Sequence, residues 1–289
     1  MPALQLSIET RDPEALEAAC FEAGAVAVTL LDAADVPILE PAPGATPLWP
    51  LVRLVALFEE RADRAAIGRA IEDATGQGLP GNAHFELIAD RPWEREWLRD
   101  FGPMRFGARL WVCPHGQFPA QDDATIVWLD PGLAFGTGSH ETTAMCLSWL
   151  DVTDVRGLEV TDYGCGSGIL AIAAAKLGAR LASAVDLDPQ ALVATRDNAQ
   201  RNGVAERIEI LSTADPAPLA DVLLANILAQ PLIELAPRFK SMVRPGGVLV
   251  LSGILSSQAV AVASAYAPWF DMRSFATLHD WVCLEGVRR

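Results

Sequence analysis

Residues 162–168 read Asp162-Tyr163-Gly164-Cys165-Gly166-Ser167-Gly168, between an apolar run and an alanine-rich one, where a buried strand turns into a helix. Three glycines there let the backbone pass close to a ligand, and the helix start offers unpaired N–H groups. Spacing decides which ligand. A dinucleotide fingerprint needs Gly-x-Gly-x-x-Gly, but the third position is Ile169, so the third glycine is misplaced for a pyrophosphate. A cofactor without phosphate needs no tight anion cradle. An acidic side chain such as Asp162 near a cationic amino-acid end is favourable.

The spacing Asp-x-Gly-x-Gly-x-Gly resembles the first motif of S-adenosylmethionine-dependent methyltransferases. About twenty residues further on, Val185-Asp186-Leu187-Asp188 ends the next strand, where a carboxylate can accept from both ribose hydroxyls. Asp186 is the candidate, since Asp188 is better placed to cap the helix opening at Pro189. A fourth apolar strand ends in Asn226-Ile227-Leu228, at the carboxyl edge where open α/β sheets bind ligands. The Asn226 carbonyl can accept from an amine nucleophile and aim its lone pair at a methyl group; a cap or a turn is the plainer role. Methyl transfer to an amine rests on in-line positioning and desolvation, so no dedicated base is required.

Upstream, residues 129–143 form a glycine-rich loop running into a helix over 144–150. Such a loop can close over a cofactor, with its threonines as donors. The candidate cofactor contacts are Phe135, Gly136, Thr143, Asp162, Gly164, Gly166, Asp186 and Asn226, with Asn226 also catalytic. His140 is open between a general base, a solvated residue and one that holds the loop. No metal site is expected, because no second His, Cys or carboxylate gives His140 ligand spacing.

These residues need a sheet to hold them. From residue 158 onward, near-continuous apolar strands (158–163, 183–187, 207–211, 221–226, 248–252) alternate with helices (169–177, 189–202, 231–243, 257–265), and two strands follow around Phe275 and Val282. That pattern indicates a parallel sheet covered on both faces. The expected fold is α/β, a doubly wound class I methyltransferase sheet of strand order 3-2-1-4-5-7-6. The first ninety residues read strand 4–9, helix 13–23, strand 25–31, strand 51–58, helix 63–74 and strand 84–89. This β-α-β-β-α-β order is ferredoxin-like. Expected domains are 1–90, a linker over 91–121 carrying Trp93, Trp97 and Trp111, and the methyltransferase domain 122–289. Trp93 and Trp97 would share a helix face, as staples of the linker or as a border to a substrate cleft.

A net charge of −15 disfavours a phosphate backbone as partner, so no direct nucleic-acid binding is expected. The five cysteines are scattered without a Cys-x-x-Cys pair, which disfavours disulfides and structural zinc. Neither a long apolar run nor a secretion signal is present, so a cytoplasmic protein that meets no membrane, and a monomer, is expected.

Trp93-Glu94-Arg95-Glu96-Trp97, Pro103-Met104-Arg105-Phe106, and the segments 130–143, 162–170, 186–189, 198–203, 226–228 and 251–255 follow a known pattern in order. The chain resembles, over its whole length, the PrmA family of bacterial methyltransferases of large-subunit ribosomal protein eleven. The loop 130–143 is the most specific part. The resemblance implies that Thr143, Gly164, Asp186 and Asn226 contact S-adenosylmethionine, with Asn226 near the incoming amine. It further implies an N-terminal domain that recognises the ribosomal protein, a mobile linker, and multiple methylation of the N-terminal α-amine and lysine ε-amines. Glu141 departs from the pattern, which usually has proline there, and puts the rigidity of the loop in question. A nicotinamide-dependent oxidoreductase is disfavoured by the glycine spacing. A non-catalytic ribosome-assembly factor is disfavoured by the intact Asp186 and Asn226.

Overall fold

The structure, a computed structural model, describes residues 2–34, 36, 47–88, 102–119, 121, 123–130, 138–216 and 218–289. The chain divides into two compact units, Met1–Glu96 and Trp97–Arg289.

The first unit runs β1 (Ala3–Thr10), α1 (Pro13–Glu22), β2 (Ala27–Asp32), β3 (Val52–Glu59), α2 (Arg64–Thr75) and β4 (His84–Ile88). Its sheet has the order β2-β3-β1-β4, with every neighbouring pair antiparallel. This is a split β-α-β arrangement. Leu4, Leu6 and Ile8 alternate into the core beside Leu54, Ala56 and Phe58, as a sheet covered on one face requires. Asp63 caps α2 by accepting from Ala65 N–H at 2.9 Å, and Gly76 ends it in the left-handed region.

The second unit is built on a seven-stranded sheet. Its strands are β8 (Glu159–Tyr163), β9 (Leu181–Asp186), β10 (Ile208–Ser212), β11 (Ala220–Asn226), β12 (Val243–Leu255), β13 (Phe270–Leu278) and β14 (Trp281–Arg288). They lie in the order β10-β9-β8-β11-β12-β14-β13, which is 3-2-1-4-5-7-6 counted along the chain. The first five run parallel, and β14 is antiparallel to both its neighbours. Alternate residues of each strand feed two cores. Val160, Ala184, Val222, Leu224 and Val250 face α3 (Glu141–Val152), α4 (Ile169–Lys176) and α5 (Pro189–Arg201); Val185, Leu223, Ala225 and Leu251 face α6 (Ala229–Met242) and α7 (Ala259–Tyr266). Burial on both faces explains the unbroken apolar runs.

The stretch 91–121 reads in the sequence as a linker with some local structure. Of it, residues 102–119 and 121 are described, and they carry β5 (Met104–Phe106) and β6 (Leu110–Cys113), which join β7 (Thr125–Trp128) in a three-stranded sheet of the second unit. Asp151, at the end of α3, is the reason. Its carboxylate is buried and accepts from the N–H groups of Ala108, Arg109 and Leu110 at 2.6, 3.0 and 2.8 Å. Phe106, Leu110 and Val112 then pack into the same core as Leu147 and Leu150. Asn202 holds the strand β7 by a two-way bond with the Trp128 backbone, at 2.8 and 2.7 Å. Trp93 and Trp97 lie outside the described residues.

Candidate active site

The glycine turn sits between β8 and α4. Gly164, Gly166 and Gly168 all have positive φ, at 78, 53 and 77°, a conformation other residues adopt only with strain. Cys165 and Gly164 donate their N–H groups to Val185 O, which ties the turn to the end of β9. From α5, Thr195 Oγ1 donates to Gly166 O at 3.1 Å and Asn198 Nδ2 to Ser167 O at 2.9 Å. The backbone of the turn is thus fixed from two sides.

Asp162 lies beneath this turn rather than on its open side. It is 1 % exposed, and its Oδ2 accepts from Ala171 N–H at 3.0 Å, in the first turn of α4. Burial, assisted by the charge of Asp186, pushes its carboxyl up to about 7.

Asp186, at the carboxyl end of β9, is held by both oxygens. Oδ2 accepts from Gly166 N–H at 2.9 Å and Oδ1 from Asp188 N–H at 3.0 Å. Each oxygen keeps a further lone pair, so the half-buried carboxylate can accept two more hydrogen bonds in a fixed direction. Asp188 caps α5 through Gln190 N–H at 2.8 Å, with Pro189 opening the helix. The two neighbouring aspartates have separate structural jobs.

Asn226 ends β11 two strands from Asp186, where the strand order reverses between β8 and β11, the place where open α/β sheets bind ligands. Its Nδ2 donates to Thr143 Oγ1 at 3.1 Å, which turns Oδ1 to the acceptor role. Thr143 is 1 % exposed, in the first turn of α3. The next residue, Ile227, is lodged between two glycines. A Cβ on Gly164 would lie 2.3 Å from Ile227 Cγ2, and one on Gly253 would lie 2.4 Å from Ile227 O. Gly253 lies in the segment 251–255 that the sequence singles out without giving it a role, and a glycine inside an apolar strand is the usual mark of such close approach.

Of the loop 129–143, the structure describes residues 129, 130 and 138–143; Phe135 and Gly136 lie outside the described residues. His140 is the N-cap of α3, its Nδ1 2.8 Å from Thr142 Oγ1 and 3.3 Å from Thr142 N. It holds the helix start, one of the roles its sequence position leaves open. Glu141 is the first helical residue; its own backbone N–H, with His140 and His279 nearby, keeps its carboxyl below the usual range. His279 Nδ1 stands 3.2 Å from Glu141 Oε1. Nothing in the sequence singles out His279.

Among the described residues, the Asp186 carboxylate has acceptor capacity to spare for a diol, and the glycines leave backbone open to close approach. On this sheet, that makes the second unit a class I S-adenosylmethionine-dependent methyltransferase. The family follows from comparison. The model of the ribosomal protein L11 methyltransferase (PrmA) family matches residues 2–289, and the chain belongs to that family. It is 53 % identical over 288 residues to the ribosomal protein L11 methyltransferase of Methylococcus capsulatus, covering 99 % of this chain and 98 % of that one. It is 52 % identical over 293 residues to that of Pseudomonas aeruginosa, covering 100 % and 99 %. The crystal structure of a ribosomal protein L11 methylase from Lactobacillus delbrueckii subsp. bulgaricus matches with a TM-score of 0.61 at 34 % identity, covering 65 % of this chain and all of that one (100 %).

Proposed function

We propose that this enzyme transfers methyl groups from S-adenosylmethionine to amino groups of large-subunit ribosomal protein eleven, L11, namely its N-terminal α-amine and lysine ε-amines. The observation that carries this reading is the Asn226–Thr143 bond, which leaves a carbonyl oxygen at the sheet edge to receive an amine N–H. Full-length relatives named for L11 support the substrate.

When bound, the cofactor supplies an electrophilic sulfonium methyl. Asp186 accepts from the ribose hydroxyls, and Gly164 and Gly166 bring their backbone alongside. Thr143 contacts the cofactor from α3, and Phe135 and Gly136 are assigned to the cofactor as well. Asp162 acts on the cofactor from beneath, by holding the start of α4 through Ala171 N–H. Asn226 Oδ1 accepts from the amine and orients its lone pair in line with the methyl, so positioning supplies the catalysis. A lysine ε-amine, with an ordinary pKa near ~10.4, must shed a proton before reaction, to water or by burial.

We assign residues 1–90 to recognition of L11 and the part of the expected linker that precedes β5, residues 91–101, to presenting successive amines. The net charge of −15 favours a basic partner over nucleic acid. We propose a cytoplasmic monomer; no helix among the described residues is long and apolar enough to cross a membrane. The test offers labelled cofactor to purified L11 beside other basic ribosomal proteins. Label on L11 alone supports the assignment; label on another protein, with L11 blank, moves the substrate elsewhere.

A further inference from the structure

We infer that Glu141 and His279 are positioning residues for the cofactor, gripping the first turn of α3 so that Thr143 stays against Asn226. This rests on the reading of Thr143 as a cofactor contact. The turn joining β13 to β14 and the strand that follows it each meet the start of α3: His279 Nδ1 stands 3.2 Å from Glu141 Oε1, and the ring of Trp281, the first residue of β14, meets the His140 ring edge-on at 5.1 Å. A third tie comes from β12, where Ser252 Oγ donates to Thr142 O at 3.0 Å. Residues 140, 141 and 142 are therefore each held from outside the helix, and Thr143 follows them directly.

The backbone of His279 strengthens the inference. Its φ of 51° makes it the one non-glycine residue with positive φ among the described residues. A histidine there carries strain that glycine or asparagine would relieve or tolerate, and such strain gathers where a side chain is needed in one place. Glu141, for its part, stands at the first helical position, where proline is intrinsically rigid and well suited. His140, with ψ of 140°, already has the extended backbone that a following proline demands. A link across to His279 does here, through side chains, what a pyrrolidine ring would do through the backbone.

The pair is partly exposed, at 74 % for His279 and 34 % for Glu141, so its effect is modest and sensitive to salt. The experiment is calorimetric titration of S-adenosylmethionine into the full chain at low and high salt. His279→Asn, which keeps the backbone and removes the imidazole that meets Glu141, is expected to weaken binding about two- to fivefold at low salt. In a Glu141→Pro background the same change should have no further effect. His279→Gly should raise the melting temperature while weakening cofactor binding, a split that a merely structural role does not give. Unchanged affinity in His279→Asn, or an equal loss in the proline background, overturns the inference. Thr143→Ala in the same titration separates the two levels. If it binds cofactor like the native chain, the contact beneath the inference has failed; if it alone weakens binding, only the grip has.

Discussion

Asn226 and Thr143 stand 83 residues apart in sequence and meet at 3.1 Å, the carboxamide nitrogen donating to the threonine hydroxyl oxygen. The bond sets which end of the carboxamide is left as an acceptor, the end proposed above to meet an amine. Asn226→Ala should therefore lower kcat by roughly tenfold or more while cofactor affinity falls less, because the lost group orients the nucleophile. Thr143→Val leaves the amide in place but unheld, and a neutral hydrogen bond corresponds to about a two- to tenfold loss in turnover. Steady-state kinetics beside calorimetry measures both. Equal losses in kcat and affinity for Asn226→Ala would assign that residue to the cofactor alone.

Asp186→Ala removes a carboxylate whose oxygens also hold Gly166 and Asp188. Charge-assisted bonds are worth about 1.5–3 kcal/mol, so S-adenosylmethionine should bind roughly ten- to a hundredfold more weakly. Unaltered affinity would move the ribose elsewhere.

Gly164→Ala tests the seat of Ile227. The added Cβ would lie 2.3 Å from Ile227 Cγ2 at a φ of 78°. Overpacking and strain together should cost at least about 1–3 kcal/mol in denaturant unfolding. Ile227→Ala in the same chain should recover part of that loss, and failure to do so would mean the backbone conformation alone is at fault.

Asp162 gives a pH signature. Its carboxyl is raised to about 7 in the folded chain by burial, against an ordinary value of about 3.9 in the unfolded one. Between those values the folded state binds the extra proton, so this group's stabilising contribution is present at the acid end and lost as pH rises to neutrality. Relative to native, Asp162→Asn should gain stability as pH rises from about 4 to 7, and the difference should then level off. Parallel stability curves across that range would contradict a neutral buried acid.

Much of this unit is legible from its sequence, for identifiable reasons. The strands of the large sheet are buried on both faces and read as apolar runs, and Asp188-Pro189 announces a helix start by chemistry that is local. Asp186 and Asn226 stand out because each ends such a run. The strands β5, β6 and β7 do not, being three or four residues long among glycine, proline and charge. Asp151 falls just past the helix read over 144–150 and becomes a buried acceptor only when the turn at 107–110 folds over it. Likewise Gly253 and His279 act through residues far along the chain, and no local pattern encodes those distances.

Intact-mass spectrometry of L11 after incubation with this enzyme and S-adenosylmethionine tests the central claim most directly. The expected result is a ladder of added masses, one methylene per transferred methyl, absent with Asp186→Ala and much reduced with Asn226→Ala. An unmodified L11 from an enzyme that binds S-adenosylmethionine normally would contradict the assigned substrate.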